Sequence, residues 1–293
     1  MASIHRKLAL RALTSVLLVS MGFSAVAKGS DPKLKSGSVL IIDQDSASVL
    51  YSRNSDVAAP IASITKLMTA LVVLDAKQPL NEPLQITADD GDLPKASFSR
   101  LTVGTVLTRG DLLHLALMSS ENRAAHALGS NYPGGMRAMV AAMNAKAAAL
   151  GMTSSHFVDP TGLSSLNVAS PEDLYRLVTA ASKNSTIREY STDPSYTVRV
   201  HRRLVEFHNT DNLVKNPTWN IIVQKTGFIN EAGKCLVMAA VIDRRSVIIV
   251  LLDSTGRYTR VADAKRIKTW METTSARISA PSAGAQSARV SLR

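Results

Sequence analysis

The chain has 293 residues, 45% of them hydrophobic and 19% charged, which are globular values that exclude wholesale disorder. With 4% aromatic residues and one cysteine, Cys235, the composition argues against a base-stacking groove for single strands and excludes an internal disulfide framework or a CxxC-type zinc or redox site. The formal charge of +11 suits polyanionic surroundings without choosing among them.

At the amino terminus His5-Arg6-Lys7 precedes an apolar stretch from Ala12 to Phe23. Ala25-Val26-Ala27 then supplies small residues at the −3 and −1 positions of a cleavage site. This is the pattern of a bacterial secretory signal peptide over residues 1–27, and its apolar run falls short of the roughly 20 residues that cross a bilayer. Removing it takes Arg6, Lys7 and Arg11 and no acid, so the mature chain keeps +8. Export makes a nucleic-acid partner a poor fit. No stable membrane anchor is expected after cleavage, and a lone thiol suits an oxidising compartment.

In the mature chain, Ser38–Ile42 and Val49–Tyr51 read as strands joined by the turn Asp43-Gln44-Asp45-Ser46. Ile61 to Leu74 reads as one helix, apolar almost all round, and residues 75–107 as loops with short strands. Thr108 and Asp111 resemble a capping box that opens a helix through Met118. Met136, Met139, Val140, Met143, Ala147 and Leu150 recur at helical spacing up to Gly151, a stripe better read as core filling than as a cofactor site. Another helix is expected from Pro171 to Ala181. Tyr196–Val200, Trp219–Lys225, Cys235–Ile242 and Ser246–Leu252 are strand-like, with Asp243-Arg244-Arg245 as a tight hairpin between the last two. A final helix spans about Arg260 to Thr273, and 275–293 reads as a disordered tail. Strands at both ends enclose a helical middle, which predicts an α/β (α+β) layer with an inserted helical subdomain.

The helix from Ile61 carries the chemistry. An all-round apolar helix is buried. Its only charge before Asp75 is Lys66, with Ser63 one turn earlier on the same side. Burial disfavours the ammonium form, so such a lysine becomes a proton acceptor near neutral pH. Beside a serine hydroxyl it is the adjacent base that a weak nucleophile needs. The motif is short: Ser30-Asp31-Pro32-Lys33 matches it too, and Lys66 in a partly exposed helix would simply snorkel. Two further elements add weight. Ser120-Glu121-Asn122 stands at the break after a buried-helix pattern, unlike the other Ser-x-Asn strings at Ser52, Ser165 and Ser182. Lys225-Thr226-Gly227 occurs once and closes a strand. A cation and a hydroxyl there hold a carboxylate, and the glycine lets a ligand approach the backbone; the plainer reading of Lys225 is an edge-strand charge. Together and in this order the three elements point to serine acyl-enzyme chemistry.

In these elements the chain resembles the penicillin-binding protein and serine β-lactamase superfamily, over about residues 35–272. Pro60–Thr69, Met118–Ala125, Phe157-Val158-Asp159-Pro160-Thr161-Gly162-Leu163 and Lys225–Phe228 look like the low-molecular-weight D-alanyl-D-alanine peptidases, and are most similar to the soluble periplasmic endopeptidases. The resemblance implies a D,D-peptidase/β-lactamase-like fold over 28–274: an antiparallel sheet flanked by helices, with the active cleft against a helical subdomain. It makes Ser63 the nucleophile, Lys66 its base and Ser120 a proton relay to the leaving amine. Asn122 would orient Lys66 and the substrate amide, Lys225 and Thr226 would bind a carboxylate beside Gly227, and the backbone N–H groups of Ser63 and Phe228 would form the oxyanion hole. It implies hydrolysis of D-Ala-containing cross-links of peptidoglycan with no metal or organic cofactor, and covalent inhibition by β-lactams.

Anchored carboxypeptidases of this group typically add a C-terminal β domain and an amphipathic membrane helix; the 66 residues after Gly227 suffice for two strands, one helix and the tail, so the anchored type is not the expectation. A Glu-x-x-Leu-Asn string, which activates the deacylating water in class A β-lactamases, is missing between Asn122 and Lys225, so slow release of penicillin is expected. Glu121 stands where Gly or Asp is commoner, which bears on substrate preference. The alternatives are a D,D-carboxypeptidase removing terminal D-Ala, or a wall- and penicillin-binding module that does not turn over. His114 reads as a packed, hydrogen-bonded histidine, and Cys235 as an inert buried thiol. The Arg199, His201, Arg202, Arg203 cluster is either a solvated face or lies near anionic wall material.

Overall fold

The computed structural model describes residues 31–90 and 99–279. The leader at 1–27 and the part of the tail from 280 onward lie outside them. In chain order come strands β1 (Ser36–Asp43), β2 (Val49–Arg53) and β3 (Ala59–Pro60), then a 3-10 turn (Ala62–Ile64) leading into helix α1 (Thr65–Asp75). Strands β4 (Pro83–Gln85) and β5 (Val106–Thr108) precede helices α2 (Arg109–Met118), α3 (Asn122–Ser130) and α4 (Gly135–Ala149). After β6 (Val168–Ala169) follow α5 (Pro171–Ser182), α6 (Ser185–Thr192) and the hairpin β7 (Ser195–Val200) and β8 (Arg203–His208). The chain finishes with β9 (Asn220–Ile229), β10 (Gly233–Ile242), β11 (Arg245–Ser254) and α7 (Thr259–Ser279).

Five of the strands make one antiparallel sheet in the order β2-β1-β11-β10-β9. The Asp43 carboxylate closes the first hairpin by accepting from the N–H groups of Asp45 and Ser46, both at 3.0 Å. Asp243 and Arg244 close the last one with φ of +48° and +63°, the left-handed pair that matches strand twist in a two-residue hairpin. Both faces of the sheet are covered. Ile41, Met238 and Ile249 pack toward Ala264, Ile267 and Met271 of α7. Their neighbours Leu40, Val237 and Val250 lie in a second core shared with the helical layer. A sheet dry on both sides needs apolar residues at every position, which is why β10 and β11 read as continuous Val/Ile/Leu runs without alternation.

Helix α1 contacts α2, α3, α4, α5 and α6, which accounts for its lack of a polar face. The predicted capping box is present: Thr108 Oγ1 accepts from Asp111 N, and Asp111 Oδ2 from Thr108 N, each at 3.0 Å. Met139 and Met143 are buried in the core, as a packing stripe requires.

The structure departs from the sequence reading in three ways. The single helix expected over 61–74 is broken, with a 3-10 turn ahead of α1. α3, α6 and β8 lack a pattern that stands out: α3 buries mainly alanines, and β8 intersperses its apolar residues with Arg203, Glu206 and His208 and buries only Phe207. α7 runs on to Ser279, so the first five residues assigned to the tail at 275 are helical.

Candidate active site

From Ile61 to Val73 every residue is buried except Ser63. The 3-10 turn produces this exception. Ala62 adopts φ +47°, a left-handed conformation that costs an alanine about 1–2 kcal/mol. The turn is stapled by Thr65 Oγ1 donating to Ala62 O at 2.8 Å and by Ile61 N donating to Asn167 O at 3.1 Å. Two glycines close on it. A Cβ at Gly162, where φ is +79°, would stand 2.0 Å from Ala62 O, and one at Gly227 would stand 2.9 Å from Ile61 O and 3.1 Å from Ser63 N. Only residues without side chains let the 157–163 loop and strand β9 approach the serine turn so closely.

Lys66, one turn into the buried run, is fully enclosed. Its Nζ lies 3.0 Å from Ser63 Oγ, 2.7 Å from Asn122 Oδ1 and 2.6 Å from the carbonyl of Thr161. Burial lowers its pKa to about 7, with the negative fields of Asp159 and Glu121 opposing the shift. A neutral amine has two N–H donors and one lone pair. The Asn122 and Thr161 oxygens can only accept, so they take the two donors, and the lone pair is left for the Ser63 hydroxyl proton. The arrangement aims the base at the serine.

The Thr161 carbonyl is held there by Asp159. Its carboxylate accepts from Thr161 N (2.7 Å), Thr161 Oγ1 (2.6 Å), Gly162 N (2.8 Å), Ser164 N (3.2 Å) and Asn167 Nδ2 (2.7 Å). Thr69 Oγ1, on α1, donates to Pro160 O at 2.7 Å. The sequence reading assigned this loop no role, because a backbone carbonyl leaves no side-chain signature.

Ser120 occupies the turn between α2 and α3 with φ +62°, half-buried, and its Oγ makes no hydrogen bond among the described residues. Two residues on, Asn122 opens α3 and turns Oδ1 to Lys66, which leaves its Nδ2 for another acceptor. Glu121 between them is buried, and its Oε1 accepts from Ser99 Oγ. Burial raises its pKa, against the opposing effects of the Ser99 hydrogen bond and Lys66.

Strand β9 forms the opposite wall. Lys225 is buried and donates to Thr226 O at 3.1 Å. Burial first, then the positive fields of Lys66 and Arg260, push its pKa well below the usual lysine range, with Asp211 opposing. An arriving carboxylate would offset that penalty and hold the proton on. Thr226 Oγ1 is 2.6 Å from Thr210 Oγ1, and Thr210 N donates to Met118 O, which links β9 to the end of α2. Arg260 places Nη1 3.4 Å from Gly227 O, a cation from α7 that the motifs did not reveal. Phe228 is exposed, its ring 3.9 Å below the Lys234 ammonium.

Ser63, Lys66, Asn122, Lys225, Thr226 and Gly227 therefore line one site assembled from α1, α3, β9 and the 157–163 loop. The other titratable candidates lie apart. His114 is stacked between Tyr190 and Tyr196, with centroids at 4.3 and 4.0 Å, and its Nε2 is 3.0 Å from Asp193. Cys235 is buried in β10, and burial pushes its thiol up to about 11.

The profile of the D-alanyl-D-alanine carboxypeptidase family, peptidase S11, matches residues 25–256. The chain belongs to this family. It is 49% identical to a D-alanyl-D-alanine endopeptidase of Pseudomonas aeruginosa, over 88% of this chain and 86% of that one. It is 44% identical to the D-alanyl-D-alanine endopeptidase of Escherichia coli, over 91% and 89%. Among solved structures it resembles the Streptomyces K15 DD-transpeptidase, with a TM-score of 0.77 and 28% identity over 83% of this chain and 99% of that one. The chain is thus a serine D,D-peptidase with the fold of that group.

Proposed function

We propose that this enzyme is a D-alanyl-D-alanine endopeptidase that hydrolyses D-Ala-containing peptide cross-links of peptidoglycan through an acyl-enzyme on Ser63. The observation that carries the reading is a fully buried amine, with two fixed acceptors, 3.0 Å from a serine hydroxyl. The relatives of 44% and 49% identity, both named endopeptidases, support the choice of reaction.

Neutral Lys66 takes the Ser63 proton as Oγ attacks the D-Ala carbonyl carbon. The negative charge that develops on the carbonyl oxygen meets the backbone N–H groups of Ser63 and Phe228, each such donor lowering the barrier by about 3–4 kcal/mol. The proton passes from Lys66 through Ser120 to the amide nitrogen, the C–N bond breaks and the amine leaves. Water then adds to the ester with Lys66 as base, the ester C–O bond breaks, and the proton returns to Ser63. Lys225 and Thr226, with Arg260 beside them, hold the substrate carboxylate. A β-lactam acylates the same oxygen, but its leaving nitrogen stays tethered and the adduct persists. Cleavage of a leader over residues 1–27 would put this work in the periplasm; among the described residues no helix is long and apolar enough to cross a membrane.

Digestion of intact sacculi followed by muropeptide chromatography tests the reading. Loss of cross-linked dimers, abolished by Ser63→Ala, is expected. Release of terminal D-Ala alone assigns the enzyme to the carboxypeptidase activity after which the family is described, and stoichiometric penicillin binding without turnover of any muropeptide makes it a binding module.

A further inference from the structure

The basic residues near 200 sit at the tip of the β7–β8 hairpin, where His201 takes φ +51°. His201, Arg202 and Arg203 are exposed, and with Arg100, Thr102 and Val205 they line a groove of about 490 Å3. Its chemistry has one sign. Arg203 pairs with Val200 and Val205 with Val198, so these share the strand face that lines the groove. Glu206, the hairpin's only carboxylate, pairs with Thr197 on the opposite face. Among the described residues no carboxylate lies within ion-pair distance of Arg100, Arg202 or Arg203.

Both walls of the groove are tied through the chain to the active site. Arg100 stacks 4.1 Å over Phe207 and donates to Glu206 O at 2.6 Å, while Thr102 Oγ1 is 2.9 Å from His201 Nε2. The same segment reaches the Ser-x-Asn turn, since Ser99 donates to Glu121 and Arg123 donates to Leu101 O at 2.6 Å. Beyond β8, Thr210 contacts Thr226. Six-residue β8, between the tip and Thr210, spans about 20 Å, the length of a short peptide.

We propose that this groove is a subsite for the carboxylate-bearing peptide strand of a cross-linked substrate, held there while the scissile bond lies on Ser63. The assignment rests on the endopeptidase reading: a released D-Ala would end at the Lys225 pocket, whereas a second peptide strand must continue outward. Its carboxylates meet guanidinium groups that have no ion-pair partner among the described residues and that bind carboxylates in a two-pronged fashion.

The test uses binding, so that it does not depend on turnover. In a Ser63→Ala background, the dissociation constant is measured for a cross-linked muropeptide dimer and for the same dimer with its carboxyl groups amidated. Adding Arg202→Gln and Arg203→Gln is expected to weaken the native dimer roughly three- to tenfold and to leave the amidated one unchanged. Arg202→Lys with Arg203→Lys should recover part of the loss. Unchanged binding of the native dimer, or equal weakening of both dimers, overturns the subsite. With Ser63 intact, loss of labelling by penicillin in the Gln variant shows that the hairpin holds the cleft in shape and also overturns it. Failure of the unsubstituted enzyme to cleave dimers overturns the endopeptidase reading, a separate result.

Discussion

A lysine taken wholly out of water keeps its proton only if nearby charge compensates, and for Lys66 the fields of Asp159 and Glu121 compensate in part. The balance near pH 7 is what a general base needs, and it is obtained at the expense of stability. In the unfolded chain the amine titrates at 10.5, in the folded one at about 7. As pH falls from 10.5 to about 7 the unfolded state gains a proton that the folded state refuses, so the penalty builds across that window and is constant below it. Lys66→Met should therefore abolish labelling by penicillin while leaving the melting temperature at pH 7 unchanged or raised. A fall of more than about 5 °C would show that the hydrogen bonds to Asn122 and Thr161 outweigh the buried amine. The sequence made Lys66 conspicuous as a lone charge in an apolar run. It was silent on Thr161, whose contribution is a backbone carbonyl 95 positions away, and on Arg260, which reaches the site from another helix.

At the scale of elements, the site depends on close backbone approach. β9 lies against the serine turn only because Gly227 has no Cβ; Gly227→Ala would bring a methyl to 2.9 Å from Ile61 O and 3.1 Å from Ser63 N. The strand or the turn must then shift by a few tenths of an ångström. We expect acylation to slow about 10- to 100-fold, with the protein still folded by circular dichroism. Acylation within twofold of normal would show that Ser63 and β9 need no such register. Helices and strands with strong apolar patterns were legible in the sequence because burial on one or both sides writes itself into residue type. The 3-10 turn was not, since Ile61-Ala62-Ser63-Ile64 has no breaker. The left-handed Ala62 is imposed by the loop and strand packed on it, and local preference does not ask for it.

For the whole molecule, Asp263 of α7 clamps that helix to the start of β1. Its buried carboxylate accepts from Lys35 N (2.9 Å), Ser36 N (2.8 Å) and Ser36 Oγ (2.7 Å), and Arg266 donates to its other oxygen at 2.6 Å. Asp263→Ala should lower unfolding stability by about 3 kcal/mol while changing acylation at 20 °C less than about twofold, because the clamp lies on the sheet face away from Lys66. Urea titration alongside penicillin labelling checks both halves. The layered architecture followed from strands at both ends of the chain around a helical middle. The hairpin neighbours β1–β2 and β10–β11 followed as well, whereas the pairing of β1 with β11 did not, because it joins distant parts of the chain and no local pattern records it.

The account as a whole turns on Lys66 being an amine poised to take the Ser63 proton, and the pH dependence of acylation by labelled penicillin, with the adduct mapped by mass spectrometry, addresses this directly. The expected result is an adduct on Ser63 whose rate of formation rises with pH and reaches half its plateau near pH 7. A rate flat between pH 5 and 9, a midpoint near the ordinary lysine value of 10.5, or an adduct on another residue would contradict it.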